Sequence, residues 1–245
     1  MIEGRNAVTE ALRSGVQIDK VYIARGEVDN TLKAIASRAR AAGAVVSETD
    51  RRKLDAMSVT HAHQGVIAST ACIRYVDISD ILDIAKGKDE DPLIVLCDEI
   101  TDPHNLGAII RTCEVLGAHG VIVPKHRSAG VTEIVAKTSS GAVFFTAVAR
   151  VPNLSSAISE LKKSGVWIYG ASADGGSAVW QTDLKGPAAL VIGAEGTGIS
   201  RVVMENCDFS VTIPMFGKTP SLNASVAAAI FIYEAVRQRR GASGL

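Results

Sequence analysis

The sequence predicts an α/β protein in two parts, a small N-terminal α/β unit and a larger C-terminal domain built on a parallel sheet. Three observations carry this expectation. From Leu93 onward, short and continuously apolar runs alternate with helical patterns, as strands buried on both faces do. The same alternation appears in shorter pieces before residue 71. Several apolar runs also end in small polar or glycine-rich islands, at the strand edge where open α/β sheets hold ligands.

In the first part, G-R-N-A-V-T-E-A-L from Gly4 reads as a short helix and V-Y-I-A from Val21 as a strand. Asn30 to Ala42 reads as a helix closed by Gly43, which suits a C-cap. A-V-V from Ala44 is the next strand, Asp50 can cap a helix running to Met57, and a strand follows from Gly65 to Ala71. Residues 1–71 are therefore expected to form one domain and residues 72–92 a linker. Between Tyr75 and Pro92 acidic and apolar residues alternate before a charged stretch, which suggests a short helix within that linker.

Residues 93–245 form the second domain in this reading. Its strands are L-I-V-L-C-D-E, G-V-I-V, V-F-F-T-A-V from Val143, W-I-Y-G-A, A-A-L-V-I-G, and Phe209 to Ile213. Its helices run from Asn105 to Leu116, near Glu133 to Lys137, from Ser155 to Lys163, and along V-A-A-A-I-F-I-Y-E-A-V after Ser225. In the first of these, Leu106, Ile109, Ile110, Cys113 and Leu116 make one apolar stripe. Arg111 falls roughly 150° from its centre by the 100° helical step. It therefore faces away from its own core.

Composition bounds the function. A chain of 245 residues with 47% hydrophobic residues can bury one large or two ordinary cores. No run reaches the apolar length of a membrane span, and no signal-peptide core is expected at the N-terminus. Cys72, Cys97, Cys113 and Cys207 lack a C-x-x-C pair, so reduced thiols and a cytoplasmic setting are expected. His61 and His63 have no further ligand cluster nearby, and no metal is expected. The 26 basic and 26 acidic residues cancel, so nucleic-acid binding would need local patches. Aromatics at 4% are too few for an extended stacking platform.

Three islands point to a site. The first, D-P-H-N-L-G-A-I-I-R-T, holds Asn105 and Arg111. The second, G-A-E-G-T-G, holds Gly193 and Glu195. The third, I-P-M-F-G-K-T-P-S-L-N-A-S-V-A, holds Ile213, Met215, Ser221, Leu222 and Asn223. Taken singly, each has a plain structural reading. Asn105, Ser221, Asn223 and Ser225 are helix-capping types, glycines make turns, and an outward arginine is commonly solvated. No G-x-G-x-x-G loop and no P-loop is present, which argues against a dinucleotide- or nucleotide-dependent enzyme.

Together, and in this order, the islands resemble the SPOUT superfamily of S-adenosylmethionine-dependent methyltransferases. More narrowly they resemble its TrmH branch, the RNA ribose 2′-O-methyltransferases. The resemblance covers about residues 93 to 240. G-R-N-A-V near the start and H-Q-G at His63 make the first domain similar to the small L30e/L7Ae-like α/β domain that precedes many TrmH-branch catalytic domains. The resemblance implies a C-terminal trefoil knot, which ordinary connection rules would not predict. It also implies S-adenosyl-L-methionine as cofactor and a homodimer with a shared site.

By the same resemblance, Asn105, Arg111, Glu195, Ser221 and Asn223 are the catalytic positions. Gly193, Ile213, Leu222 and, less directly, Met215 and the Ala171 to Gly175 loop are the cofactor-binding ones. Arg5, Lys33, Arg38 and Arg51 are the RNA-binding candidates in the first domain. The implied substrate is a guanosine of large-subunit (23S) ribosomal RNA. A transfer-RNA guanosine is the alternative, as is a ribosomal-RNA adenosine. A non-catalytic ribosome-assembly factor on the same fold is the reading from a different class.

Overall fold

The computed structural model describes residues 1–26, 29–173 and 175–241. It divides into two compact units, Met1–Arg74 with Gly130–Glu133, and Tyr75–Ala129 with Ile134–Leu245.

The first unit runs β1 (Ile2–Glu3), α1 (Arg5–Arg13), β2 (Ile18–Ala24), α2 (Asn30–Ala41), β3 (Val45–Thr49), α3 (Arg51–Met57) and β4 (Val66–Thr70). Its four strands stand in the order β1-β4-β2-β3, with β2 and β3 parallel and the other pairs antiparallel. Val8, Val21, Leu32, Ile35 and Val66 form its core. Asp29 caps α2 by accepting from the Leu32 amide at 2.8 Å, and Gly43 leaves the helix at φ +81°. Asp50 precedes α3 as expected, but its side chain makes no capping hydrogen bond. His63 is buried rather than ligand-like: its Nδ1 accepts from the Gly65 amide and its Nε2 lies 2.8 Å from Asp55.

The second unit begins with α4 (Ile78–Gly87), then β5 (Leu93–Cys97), α5 (Pro103–Leu116), β6 (Gly120–Pro124), α6 (Glu133–Thr138) and β7 (Val148–Val151). It continues through α7 (Leu154–Lys163), β8 (Trp167–Ser172), β9 (Ser177–Ala178), β10 (Ala188–Ile192), α8 (Arg201–Met204), β11 (Phe209–Thr212) and α9 (Ala224–Gly241). The seven strands are ordered β7-β6-β5-β10-β8-β11-β9 and every pair is parallel. All five residues of β5 and of β10 are buried, which explains why these runs carry no polar alternation. The order is interleaved, since β10 enters between β5 and β8, and β11 between β8 and β9. The connections after β8, β10 and β11 thereby leave the sheet side by side, where the resemblance locates its knot.

Two expectations are corrected. The stretch read as a linker over 72–92 contains α4, whose Ile78 and Ile81 lie inside the larger core with Ile94, Leu96 and Ile122. Its acidic residues face outward with Ile84, and Ile78, Ile81 and Ala85 face inward, so it is a layer of the second unit. The expected strand V-F-F-T-A-V is split. Gly141 at φ +82° turns the chain into a 3-10 turn over Ala142–Phe144, held by Phe144 and Phe145 amides donating to Gly141 and Ala142 carbonyls. Only Val148–Val151 pairs with β6, and Phe144 and Phe145 are exposed.

Candidate active site

The parallel register puts the C-terminal ends of β8, β10 and β11 on one edge. There Ala171–Ala173, the loop from Gly193 to Gly198, and residues from Ile213 to Leu222 enclose a cavity of about 120 Å³. Gly193, Ile213, Met215 and Leu222, the expected cofactor residues, all line it, as do Glu195 and Ser221. Ala227 and Phe231 of α9 close its floor. Sequence reasoning missed these two because they are indistinguishable from the helix's core stripe. Of the expected Ala171 to Gly175 loop, only Ala171, Ser172 and Ala173 line the cavity, and residue 174 lies outside the described residues.

Gly193 is required by close approach. A Cβ there would stand 2.1 Å from the Gly198 carbonyl carbon. Ala194 and Gly198 exchange backbone hydrogen bonds at 3.1 and 2.9 Å, which folds the segment into a tight turn with Glu195 in it. The far end of that loop is held by Asp98, a buried carboxylate just after β5 that accepts from the Ser200 amide at 2.7 Å. Asp98 was not singled out from the sequence. A charged residue directly after five apolar ones was its only signal.

Three side chains from three islands meet beside the cavity. Asn223 donates through Nδ2 to Asn105 Oδ1 at 2.9 Å and to Glu195 Oε1, and Asn105 Nδ2 lies 3.4 Å from the same carboxylate oxygen. The other end of Asn223 caps α9. Its Oδ1 accepts from the Ser225 amide and hydroxyl at 2.9 and 2.6 Å and from the Val226 amide at 3.3 Å. The Ala224 amide also points at Glu195 Oε1, at 3.4 Å. The carboxylate thus sits at the positive end of α9, against the first free amide of that helix. Asn105 is fixed by the start of α5, where Asp102 accepts from the His104 amide at 2.9 Å and Pro103 occupies the first turn.

The remaining expected catalytic positions stand apart from this cluster. Arg111 is exposed on α5, about 9 Å along the axis from Asn105 by the helical rise, with no ion pair among the described residues. Ser221 lines the cavity and is exposed. Among the RNA candidates, Arg5 is committed to the fold, since it pairs with Asp29 at 2.5 Å and donates through Nε to the Gln64 carbonyl at 3.0 Å. Lys33, Arg38 and Arg51 are exposed.

A larger groove of about 750 Å³ lies at the opposite ends of β8 and β11, beside Trp167 and Phe209. Its carboxylates already have partners: Asp183 accepts from the Lys185 amide, and Asp208 pairs with Lys162 and the Ile168 amide. The smaller cavity is where polar side chains from three separate segments converge. Among the described residues no group of three or more His, Cys, Asp and Glu could hold a metal ion. No helix of the described residues is long and apolar enough to cross a membrane.

Comparison with known proteins assigns each unit separately. Residues 92–233 match the SpoU rRNA Methylase family, and residues 1–76 match the family described as RNA 2′-O ribose methyltransferase substrate binding. YacO of Bacillus subtilis, assigned by name to the TrmH family of tRNA/rRNA methyltransferases, is 43% identical over 236 residues, 96% of this chain and 94% of that one. The crystal structure of the SpoU methyltransferase AviRb from Streptomyces viridochromogenes, in complex with the cofactor AdoMet, superposes with a TM-score of 0.62. It is 28% identical and covers 98% of this chain and 90% of its own. An AdoMet-bound rRNA methyltransferase from Sinorhizobium meliloti gives a TM-score of 0.59 at 26% identity, over 96% of this chain and 85% of that one. The larger family match alone spans more than half of the sequence, and the chain belongs to the SpoU/TrmH family of RNA methyltransferases.

Proposed function

We propose that the protein transfers the methyl group of S-adenosylmethionine to a ribose 2′-hydroxyl of RNA, in a guanosine of large-subunit (23S) ribosomal RNA. The observation that carries this reading is the meeting of Asn105, Glu195 and Asn223 at a cavity lined by Gly193, Ile213 and Leu222. The lining suits an adenosine. Ile213, Leu222 and Phe231 offer apolar walls, and glycine backbone can approach a ligand closely. At about 120 Å³ the cavity is smaller than the usual ligand pocket of roughly 300–1,000 Å³, and the residues beside it from 215 to 221 are exposed. When bound, S-adenosylmethionine supplies the electrophilic methyl group.

The chain's own residues then have to position the acceptor and handle its proton. Arg111 is a poor base, because a guanidinium offers five N–H donors and no acceptor. It instead clamps the neighbouring phosphate and stabilises the 2′-oxygen as negative charge develops. Glu195, held by Asn105 and Asn223, orients the ribose, and phosphate, water or Glu195 takes the proton. Ser221 fixes the loop and the hydroxyl.

The same proposal includes a homodimer, in which Arg111 serves the partner's cavity. Its support is the surface on α5 and α9, which pack together. Val226, Ile230 and Tyr233 recur at helical spacing on α9 and are exposed, as is Val115 on α5. A cytoplasmic setting, where ribosomal RNA is found, belongs to this reading too.

The test is radiolabel transfer from S-adenosylmethionine to ribosomal and to transfer RNA, followed by mapping of 2′-O-methyl positions. Arg111→Ala should abolish transfer while cofactor affinity stays near wild type. Transfer at the wild-type rate in that variant would remove Arg111 from the mechanism. Preferential labelling of transfer RNA would favour the transfer-RNA alternative. Cofactor binding without transfer to either RNA would favour the assembly-factor reading.

A further inference from the structure

We infer that the loop Lys125–Ser128, after β6, is a phosphate-binding ledge for the RNA strand that carries the target ribose. The inference rests on the methyltransferase reading above and adds an acceptor-side surface to it.

Strand β6 pairs in parallel with β5, so the loops that follow both strands leave the same edge of the sheet. The loop after β5 passes through Glu99 and Ile100 to Asp102 and then to Asn105 in α5. Three interactions tie the two loops together. Arg127 Nη1 lies 3.0 Å from Glu99 Oε1, the Ala129 amide donates to the Ile100 carbonyl at 2.8 Å, and the Ser128 hydroxyl donates to the same carbonyl at 3.4 Å. On its other flank the Lys125 amide donates to the Val151 carbonyl of β7 at 2.8 Å. The ledge is therefore built into the same frame that positions Asn105. Glu99 and Arg127, the two ends of the ion pair, both hold left-handed backbone at φ 54°. That conformation is unfavourable for side-chain-bearing residues and is kept where surroundings or function require it.

The charge is the second observation. The chain sums to zero, yet Lys125, His126 and Arg127 stand in a row at the edge that carries the site. Among the described residues no carboxylate pairs with Lys125 or His126. The Arg127 side chain remains 80% exposed beside a Glu99 that is 31% exposed, leaving guanidinium donors to solvent. The lysine and arginine cations with a histidine ring donor between them, strung along consecutive residues, match successive phosphates of a strand better than a single free anion. Such contacts set the position of a strand without reading its sequence.

The test uses the full chain with Lys125→Ala and His126→Ala combined, leaving Arg127 because it holds Glu99. Binding is measured against a large-subunit ribosomal RNA transcript and a transfer RNA transcript over a range of salt, with cofactor affinity and steady-state transfer alongside. The variant should bind the RNA that the wild type methylates about 5- to 10-fold more weakly, with the loss in KM rather than kcat. The slope of log K against log salt should fall by about 1 for each phosphate contact removed. Cofactor affinity should be unchanged, and Lys125→Arg should retain wild-type binding. Wild-type affinity and salt slope in the double variant would overturn the ledge while leaving the methyltransferase reading intact. A loss with an unchanged slope would also overturn it, since phosphate contacts cannot produce that pattern. If the wild type neither binds nor methylates either RNA, the functional reading fails first and the ledge fails with it.

Discussion

Asn223 shows how a single side chain can serve stability and chemistry at once. Its carbonyl end caps α9 and its amide end joins Asn105 to Glu195. The two duties separate by substitution. Asn223→Ala should lose about 1 kcal/mol of cap stabilisation together with methyl transfer. Asn223→Asp keeps a capping oxygen but sets a second carboxylate against Glu195. Its melting temperature should stay nearer wild type while transfer falls as in the alanine variant. Equal melting temperatures for the two variants would show that the retained capping oxygen does not outweigh the repulsion from Glu195.

A second residue-scale prediction concerns Glu3. Its carboxylate accepts from the Ser58 and Thr60 hydroxyls at 2.6 and 2.5 Å and from the Val59 amide at 2.7 Å. The Ser58 and Thr60 hydroxyls and the Val59 amide hold its pKa down to about 2, against an ordinary value of 4.5. The folded state thus binds this proton more weakly than the unfolded one. The stabilisation is complete above pH 4.5 and is lost as pH falls toward about 2. Unfolding midpoints of wild type and Glu3→Gln should converge across that window. A gap that stays constant from neutral pH down to pH 2 would contradict the assignment.

At the scale of elements, α4 teaches the most. Ile78, Ile81 and Ala85 are buried, and a Cβ on Gly120 would stand 2.7 Å from Ile81 Cδ1, so the helix sits hard against β6. Ile81→Ala should therefore cost about 2–5 kcal/mol in urea unfolding, as buried isoleucines do. A linker helix would show less than 0.5 kcal/mol, the usual range for surface changes. The helical period was legible in the sequence, but the charges between its isoleucines concealed that one face was buried. Strands β5, β6, β8 and β10 were legible because runs of three or more apolar residues between turns have few other places to go. The V-F-F-T-A-V run misled because composition cannot report the left-handed Gly141 that diverts its first half into a turn. The island residues were visible as a set only through the family resemblance. Their mutual hydrogen bonds depend on a strand order that local sequence does not encode, and Ala227 and Phe231 carried no distinguishing pattern.

At the scale of the whole molecule, the proposed dimer has a direct consequence for activity. If Arg111 serves the partner's cavity, mixing Arg111→Ala with Asn223→Ala chains should restore transfer. In a mixed dimer one site combines an intact Arg111 with an intact Asn223. Sites confined to one chain would gain nothing from mixing. Ile230→Glu with Tyr233→Glu, on the exposed α9 face, should yield monomers by sedimentation and lose transfer with the site residues untouched.

The interleaved sheet also constrains how the molecule comes into being. Leu93 pairs with Ala188, and the Asn105–Glu195–Asn223 cluster draws on both ends of the second unit. No shorter stretch emerging from the ribosome contains a finished cavity, because β10 must enter beside β5 and α9 must still arrive to supply its cap. Pairings this distant in sequence are slow to form. During synthesis β5 waits with an open edge until β10 is made. A chain broken off before Asn223 would hold every strand of the sheet and neither the α9 floor nor its cap, so the cavity is finished only some time after the last strand has been made.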